Sequence, residues 1–268
     1  MGSDWKMGRL FLTGLLILAL CGCSKSKTPQ KKEFSRIAVL STAAAVVLCK
    51  LGAPPAAVDA YTLAAVEPST PVVGKGTAIS PERLLELKID TLILWRYQRN
   101  ALEHLSRYGI KLVEIDLLRA QNFPGLVEKM GKMTGKMREA EKIIAEHQKI
   151  FSTVKQEHKV CKRIYFELYS RNRGAGDESF IGDLLRAAGG KSIVKKSALT
   201  GSEYIVKQNP EVIFYVEGMG STEEIMNRNG FSTLEAVKRQ KIFAVPRKLL
   251  VEGAFTLEAV EFFRKRIY

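Results

Sequence analysis

The chain of 268 residues carries few of the side chains on which compact chemistry is usually built: four cysteines, three histidines and two tryptophans. Cys21 and Cys23 fall at the very start, so only Cys49 and Cys161 remain for the body of the protein. That excludes a disulfide-dense scaffold, and the apolar settings VVLCKL and KVCKRIYF predict two buried free thiols. His104, His147 and His158 all lie in helix-forming stretches. Receptors for free metal ions gather histidines and carboxylates at strand ends, so direct metal binding is not expected. No nucleophile elbow, phosphate-binding glycine loop or Cys/His pair is present, and Gly174-Ala175-Gly176 is too short to stand for one. The chain is not expected to be an enzyme or to need a cofactor. No apolar run reaches the ~20 residues that a membrane-spanning helix requires.

What is abundant is positive charge. Lys and Arg number 42 against 28 acidic residues, a formal net charge of +14. Such a balance invites acidic partners, but no basic-aromatic nucleic-acid motif is present, and much of the lysine sits on predicted helix faces, where solvation accounts for it. Hydrophobic content of 46% and charged content of 26% are values of a globular chain.

The first 22 residues read as a secretory signal: Lys6 and Arg9, then a short apolar core from Leu10 to Leu20, then a small-residue exit. Met7 is an alternative start. Leu20-Cys21-Gly22-Cys23 is similar to a bacterial lipobox. Cleavage after Gly22 fits and cleavage after Leu20 fits poorly, so Cys23 is the expected lipidated N-terminus. Each buried CH₂ of an acyl chain contributes ~0.8 kcal/mol, enough to hold a soluble domain at a membrane surface. The lysine-rich stretch over 23–33 reads as a solvated tether.

From 34 to 120, short β-prone runs (RIAVL, AAVDAY, TPVVG, DTLILW, IKLVEID) alternate with helical ones. Ser41 or Thr42 is placed to cap AAAVVLCKL, Ser80-Pro81 to start SPERLLELK, and RNALEHLSRYG to form a helix ending at glycine. Strands alternating with helices predict a parallel sheet covered on both faces. Over 121–159 the strand signal vanishes. Leu126, Met130, Met133, Met137, Ile144 and Phe151 recur at spacings of three, four and seven, the stripe of one long helix; the methionines on it are expected in the core rather than on a soft metal. Alternation resumes over 160–268 with RIYFELY, SFIGDLLRAAGG, SEYIVKQNP, EVIFYVE, KIFAVP and FTLEAVEFFRKRIY. The expected fold class is α/β, two lobes with parallel sheets joined by one long linker helix.

That order of segments resembles the substrate-binding lipoproteins of ABC importers for cobalamin, haem and ferric siderophores. AISPERLLELKIDTLILW, SRYGIKLVEID, ESFIGDLLRAAGGKSIV and GSEYIVKQNPEVIFYV follow FSRIAVLS in the family's sequence and cover residues 34 to 268. The resemblance implies a lipid-anchored, exported monomer that binds a metal chelate between its lobes and hands it to a membrane permease. It places the ligand beyond the strand ends, in keeping with the general behaviour of open parallel sheets. The candidate contacts are then Trp95, Arg96 and Tyr97 after DTLIL, Tyr61 after AAVDA, and Tyr169, Arg171 and Arg173 in YSRNRGAGDESF, which reads as a flexible loop. Flat rings stack on a planar ligand and guanidinium clamps carboxylates. Basic charge near the cleft favours an acidic ligand such as haem or a ferric siderophore, whereas LILWR resembles the cobalamin-binding member; the identity stays open. Permease docking by one glutamate per lobe points to Glu203, with Glu103 or Glu82 as its partner in the first lobe. A surface lipoprotein of the same fold that senses, stores or scaffolds without transport is the alternative.

Overall fold

The computed structural model describes residues 35–157 and 161–268. The signal segment, Cys21, Cys23, the tether and His158 lie outside them. The first lobe begins with β1 (Ile37–Val39), α1 (Thr42–Lys50) and β2 (Ala57–Val58), followed by a hairpin of β3 (Gly74–Lys75) and β4 (Ala78–Ile79). It continues with α2 (Pro81–Glu86), β5 (Thr91–Trp95), α3 (Arg99–Leu102) and β6 (Lys111–Ile115). The sheet runs β2-β1-β5-β6, parallel throughout. The reason is visible in TLILW: four of its five residues are buried, as a strand covered on both faces demands. Ser41, not Thr42, caps α1, its Oγ accepting from Ala44 N at 3.3 Å.

The predicted linker helix is interrupted. α4 (Phe123–Thr134) ends at Gly135, whose φ of +71° is left-handed and costs glycine nothing, and α5 (Met137–Glu157) starts afresh. The methionine stripe hid this stop, because its spacing continues across the break. Of its members, Met130 is fully buried and Met133 packs beside it in the first-lobe core. α5, ~32 Å long at 1.5 Å per residue, is the brace between the lobes. Ile143 and Ile144 on its first half pack on the first lobe, and Ile150 and Phe151 on its second half pack on the other.

The second lobe contains β7 (Lys162–Glu167), β8 (Arg173–Gly174), α6 (Phe180–Ala187), β9 (Gly190–Ser192), β10 (Ala198–Leu199) and α7 (Ser202–Gln208). It closes with β11 (Val212–Val216), α8 (Thr222–Met226), α9 (Glu235–Lys238), β12 (Ile242–Val245) and α10 (Thr256–Ile267). Its parallel part has the order β9-β7-β11-β12, the same path as β2-β1-β5-β6, with β8 and β10 added antiparallel at one edge. Each sheet has a separate buried apolar cluster on either face. Several expectations fail locally. TPVVG contributes a single bridge, Val58 to Val72, and the first residue of β3, and the helix over 99–109 is a short α turn followed by 3₁₀ turns to Tyr108. The segment expected as a flexible loop contains β8, fastened by Asn172 N to Glu167 Oε2 at 2.8 Å. Cys49 and Cys161 are free but exposed, not buried; Leu48 faces the core and the next helical position turns away from it.

The lobes are locked where the first sheet leaves for α4. Arg119 donates to Asp183 of α6 through Nε (2.8 Å) and Nη2 (2.6 Å), and Ala120 N donates to the same carboxylate at 2.8 Å. Arg186 adds a further ion pair to Asp183. Beside this, His147 of α5 donates Nε2–H to Ala120 O at 2.8 Å, its ring held between Phe123 and Phe151. Gly253 (φ +73°) brings backbone of the second lobe against Phe123; a Cβ there would sit 1.9 Å from the ring. Lys50 donates to Ala254 O. Burial would raise the Asp183 carboxyl, but the bonds from Arg119 and Ala120 and the charges of Arg119 and Arg186 outweigh it and hold the group below its ordinary range. Asp183→Asn is therefore expected to cost about 2–3 kcal/mol at neutral pH, the loss of one partner from a largely buried pair. Because the folded-state value is the lower one, this contribution is complete above the unfolded value of about 4 and disappears as pH falls through the folded value. Urea unfolding of both proteins at pH 7 and pH 3 measures it; an undiminished gap at pH 3 contradicts the assignment.

Candidate ligand cleft

The carboxyl ends of both parallel sheets open toward one gap. On the first-lobe side, β2 leads into Asp59 and Tyr61, and β5 into Trp95, Arg96 and Tyr97. These loops are knitted together at the hairpin turn. Asp59 accepts from Thr62 N (3.0 Å) and Gly76 N (3.2 Å), while buried Gln98 accepts from Trp95 N (3.0 Å) and donates to Gly76 O (3.4 Å). Trp95 is half-buried and packs on the first-lobe core; its ring lies parallel to Tyr97, with centroids 6.4 Å apart. Tyr97 is 71% exposed, and Tyr61, 67% exposed, lies beneath the Lys75 ammonium at 5.2 Å.

From the second lobe Tyr169, 61% exposed, borders a cavity of about 450 Å³. Its walls are Leu117 to Arg119 of the interlobe connection, Leu168, the start of α6 at Ser179 and Phe180, and Leu250 and Glu252 of the loop before α10. A smaller recess of 220 Å³ lies against β6 and α4 alone. The larger one is the candidate site, since both the connection and the second lobe wall it. Its size falls within the range of small-molecule sites.

Electrostatics join the two sides. Desolvation first, then the charges of Asp59 and Glu252, raise the Tyr97 phenol; desolvation and Glu252, opposed by Arg247, raise that of Tyr169. The charge of Glu252 thus acts on a tyrosine from each lobe. Burial pushes its own carboxyl upward, only partly offset by its backbone N–H.

The guanidiniums expected in the site are engaged elsewhere. Arg96 pairs with Asp116 (3.0 Å) and Glu114 (3.4 Å), and Arg99 with Glu103 (2.9 Å) and Glu114 (3.3 Å). Arg171 leans toward Glu224 at 3.9 Å, a residue already held by Arg228 at 2.6 Å. Arg173 is exposed on β8, opposite Leu199. So Tyr169 lines the cavity, Tyr61, Trp95 and Tyr97 cluster on the first lobe outside its lining, and the arginines are left as internally paired or peripheral charges. Two groups escape the sequence reading. Arg247 stands immediately beyond β12 and donates to Glu217 O at 3.1 Å, so the strand-end criterion reaches it. Glu252 lies seven residues past that strand, where no local signal marks it.

Glu82 and Glu203 occupy matching places. Each is the second residue of the helix that enters the strand next to the sheet's first one, α2 before β5 and α7 before β11. Both are exposed, and Ser80 Oγ donates to Glu82 at 2.8 Å. Glu103 instead follows β5, where the second lobe has α8.

A family model described as periplasmic binding protein matches residues 37–249. The chain belongs to that family. Membership makes it an extracytoplasmic solute-binding protein and not an enzyme. Among solved structures it is similar to the periplasmic haem-binding protein HutB of Vibrio cholerae, at 20% identity and a TM-score of 0.77, over 87% of this chain and 99% of that one. A possible iron-binding solute-binding protein from Staphylococcus epidermidis matches at 23% identity and 0.72, over 88% and 100%. The vitamin B12-binding protein BtuF of Vibrio cholerae matches at 19% and 0.71, over 87% and 96%. At these identities the likeness establishes the fold, two α/β lobes with parallel sheets. No curated protein matches the sequence.

The electrostatics of the cleft generate one direct expectation. Raised phenols stay neutral past the ordinary value of about 10, so alkaline absorbance titration of this binding protein should show late-ionising tyrosines. Tyr97→Phe and Tyr169→Phe should each remove part of that late component and leave the early one. Loss of early-ionising signal instead would place these hydroxyls in open solvent.

Proposed function

We propose that this protein is a lipid-anchored receptor that takes a metal chelate into the interlobe cleft and delivers it to an ABC permease. The observation that carries the reading is the 450 Å³ cavity walled by Tyr169, Glu252 and the interlobe connection over Leu117 to Arg119, with the charge of Glu252 raising the phenols of both Tyr97 and Tyr169. Exposed rings facing a concave gap supply stacking surface for a broad, flat ligand. Relatives of the same fold bind haem and vitamin B12, and a ferric siderophore belongs to the same class of ligand. Tyr61 and Trp95 extend the aromatic surface on the first-lobe side. Arg96, Arg171 and Arg173 act at the rim at most. The membrane anchor rests on the short apolar leader and on Cys23.

For docking we choose Glu82 and Glu203. They hold the same register in the two repeats, and both are solvent-facing carboxylates in a first helical turn. The hydrogen bonds from its own backbone and from Ser80 keep Glu82 below the ordinary carboxylate range, hence ionised at neutral pH. Glu103 is engaged by Arg99 and has no counterpart at that register. Exposed charges of this kind govern the rate and orientation of encounter.

Two measurements test the reading. Trp95 is the only tryptophan beyond the leader, so its fluorescence reports ligand entry. Titration with cyanocobalamin, haem and ferric siderophores is expected to quench it at micromolar concentration or below for one of them; silence toward all three classes refutes the ligand claim. Combining Glu82→Lys with Glu203→Lys should cut permease-dependent uptake by about tenfold or more while ligand affinity stays unchanged. Uptake at the wild-type level would remove these two residues from the docking face.

A further inference from the structure

The cavity lining carries both signs, Arg119 and Lys196 against Glu178 and Glu252, although the chain is strongly basic. Arg96 and Arg99 are held by Glu103, Glu114 and Asp116, and Arg119 by Asp183. Glu252, by contrast, forms no ion pair among the described residues, although it faces the cavity among Leu117, Leu168, Phe180 and Leu250. Lys196 and Glu178 line the same cavity, the latter 3.9 Å from Lys195. The charge of Arg247 acts on the Tyr169 phenol, and that of Asp59 on the Tyr97 phenol. Lys196 and Arg247 are long, exposed side chains whose heads reach water, whereas Glu252 is half-buried on the short loop between Leu250 and α10.

A broad ligand seated here strips Glu252 of its remaining water, and a desolvated carboxyl must then find a hydrogen-bond partner on the ligand. A primary amide satisfies it in either state: the amide N–H donates to the carboxylate, and the amide oxygen accepts from the acid. A ligand carboxylate can pair only with the protonated form, so its binding has to take up a proton from solution, and at neutral pH that weakens it. We propose that Glu252 selects the chelate, accepting a ligand edge fringed with amides and disfavouring one fringed with carboxylates. Among cobalt and iron macrocycles this assigns the cleft to a corrinoid rather than to haem, and the assignment rests on the functional reading given above. Burial, which already raises this carboxyl in the empty cleft, acts in the same direction.

The probes are cyanocobalamin, haem, and haem esterified on both carboxyls, titrated at pH 7.5 into the wild-type protein and Glu252→Gln. Wild type is expected to bind cyanocobalamin at least about tenfold more tightly than haem, and the ester more tightly than haem, since only the free acid opposes Glu252. The side-chain amide of the Glu252→Gln variant can donate to a carboxylate, so the variant should gain about tenfold for haem and narrow the preference for cyanocobalamin over haem. Equal or tighter binding of haem by wild type overturns the proposal, as does a variant with unchanged melting temperature and unchanged haem affinity. The wild-type comparison of haem with its ester needs no mutation and decides the matter even if the variant folds poorly. If a ferric siderophore alone binds, the receptor reading stands and this inference falls; if nothing binds, both fall.

Discussion

Asp183 is the point on which the two halves of the molecule are fastened. It belongs to α6 of the second lobe, yet it is satisfied by the guanidinium of Arg119 and the backbone N–H of Ala120, on the stretch of chain that has just left the first sheet. Swinging the lobes apart would leave a carboxylate and a guanidinium unpaired and partly desolvated, a strongly unfavourable condition. Around this contact, His147, Phe123, Gly253 and Lys50 close the remaining space, and α5 rests its first half on one core and its second half on the other. The gap is thus formed before any ligand arrives. A binding protein built this way loses little of its ligand's interaction energy to ordering itself.

The second constraint is repetition. Both lobes thread their parallel strands in the same spatial order, so equivalent loops emerge at equivalent corners. The two exposed rings do not follow this equivalence: Tyr97 follows β5, whose counterpart is β11, and Tyr169 follows β7, whose counterpart is β1. The helices preceding β5 and β11 present Glu82 and Glu203 at the same residue of their first turns. One topological fact therefore positions the pair of outward carboxylates.

Most of the fold was legible because parallel strands buried on both faces write themselves as unbroken apolar runs. DTLILW, RIYFELY, EVIFYVE and KIFAVP all became strands for this reason. What misled was periodicity without punctuation. The apolar stripe continues through Gly135, and only the left-handed φ there reveals that α4 has ended. Pairing of two-residue strands such as β8 with β10 depends on partners distant in sequence, which local pattern does not carry. In the site, strand-end residues were within reach of sequence reasoning because the fold class dictates where ligands sit. The fate of the arginines was not: Arg96 needs Glu114 and Asp116, which are remote until β5 and β6 lie side by side.

That last point separates the net charge of a chain from the charge of its binding site. Forty-two basic residues give this protein its sign, and the long-range field they create aids encounter with anionic surfaces. Inside the gap the field decays into individual pairings, and there a guanidinium already holding two carboxylates has little left to offer. An unpaired carboxyl on a half-buried loop matters more, because every ligand that covers it must compensate for its desolvation. Composition therefore speaks of where the protein travels and what it approaches. On the proposal made above, selection among ligands belongs to groups such as Glu252, which forms no ion pair among the described residues.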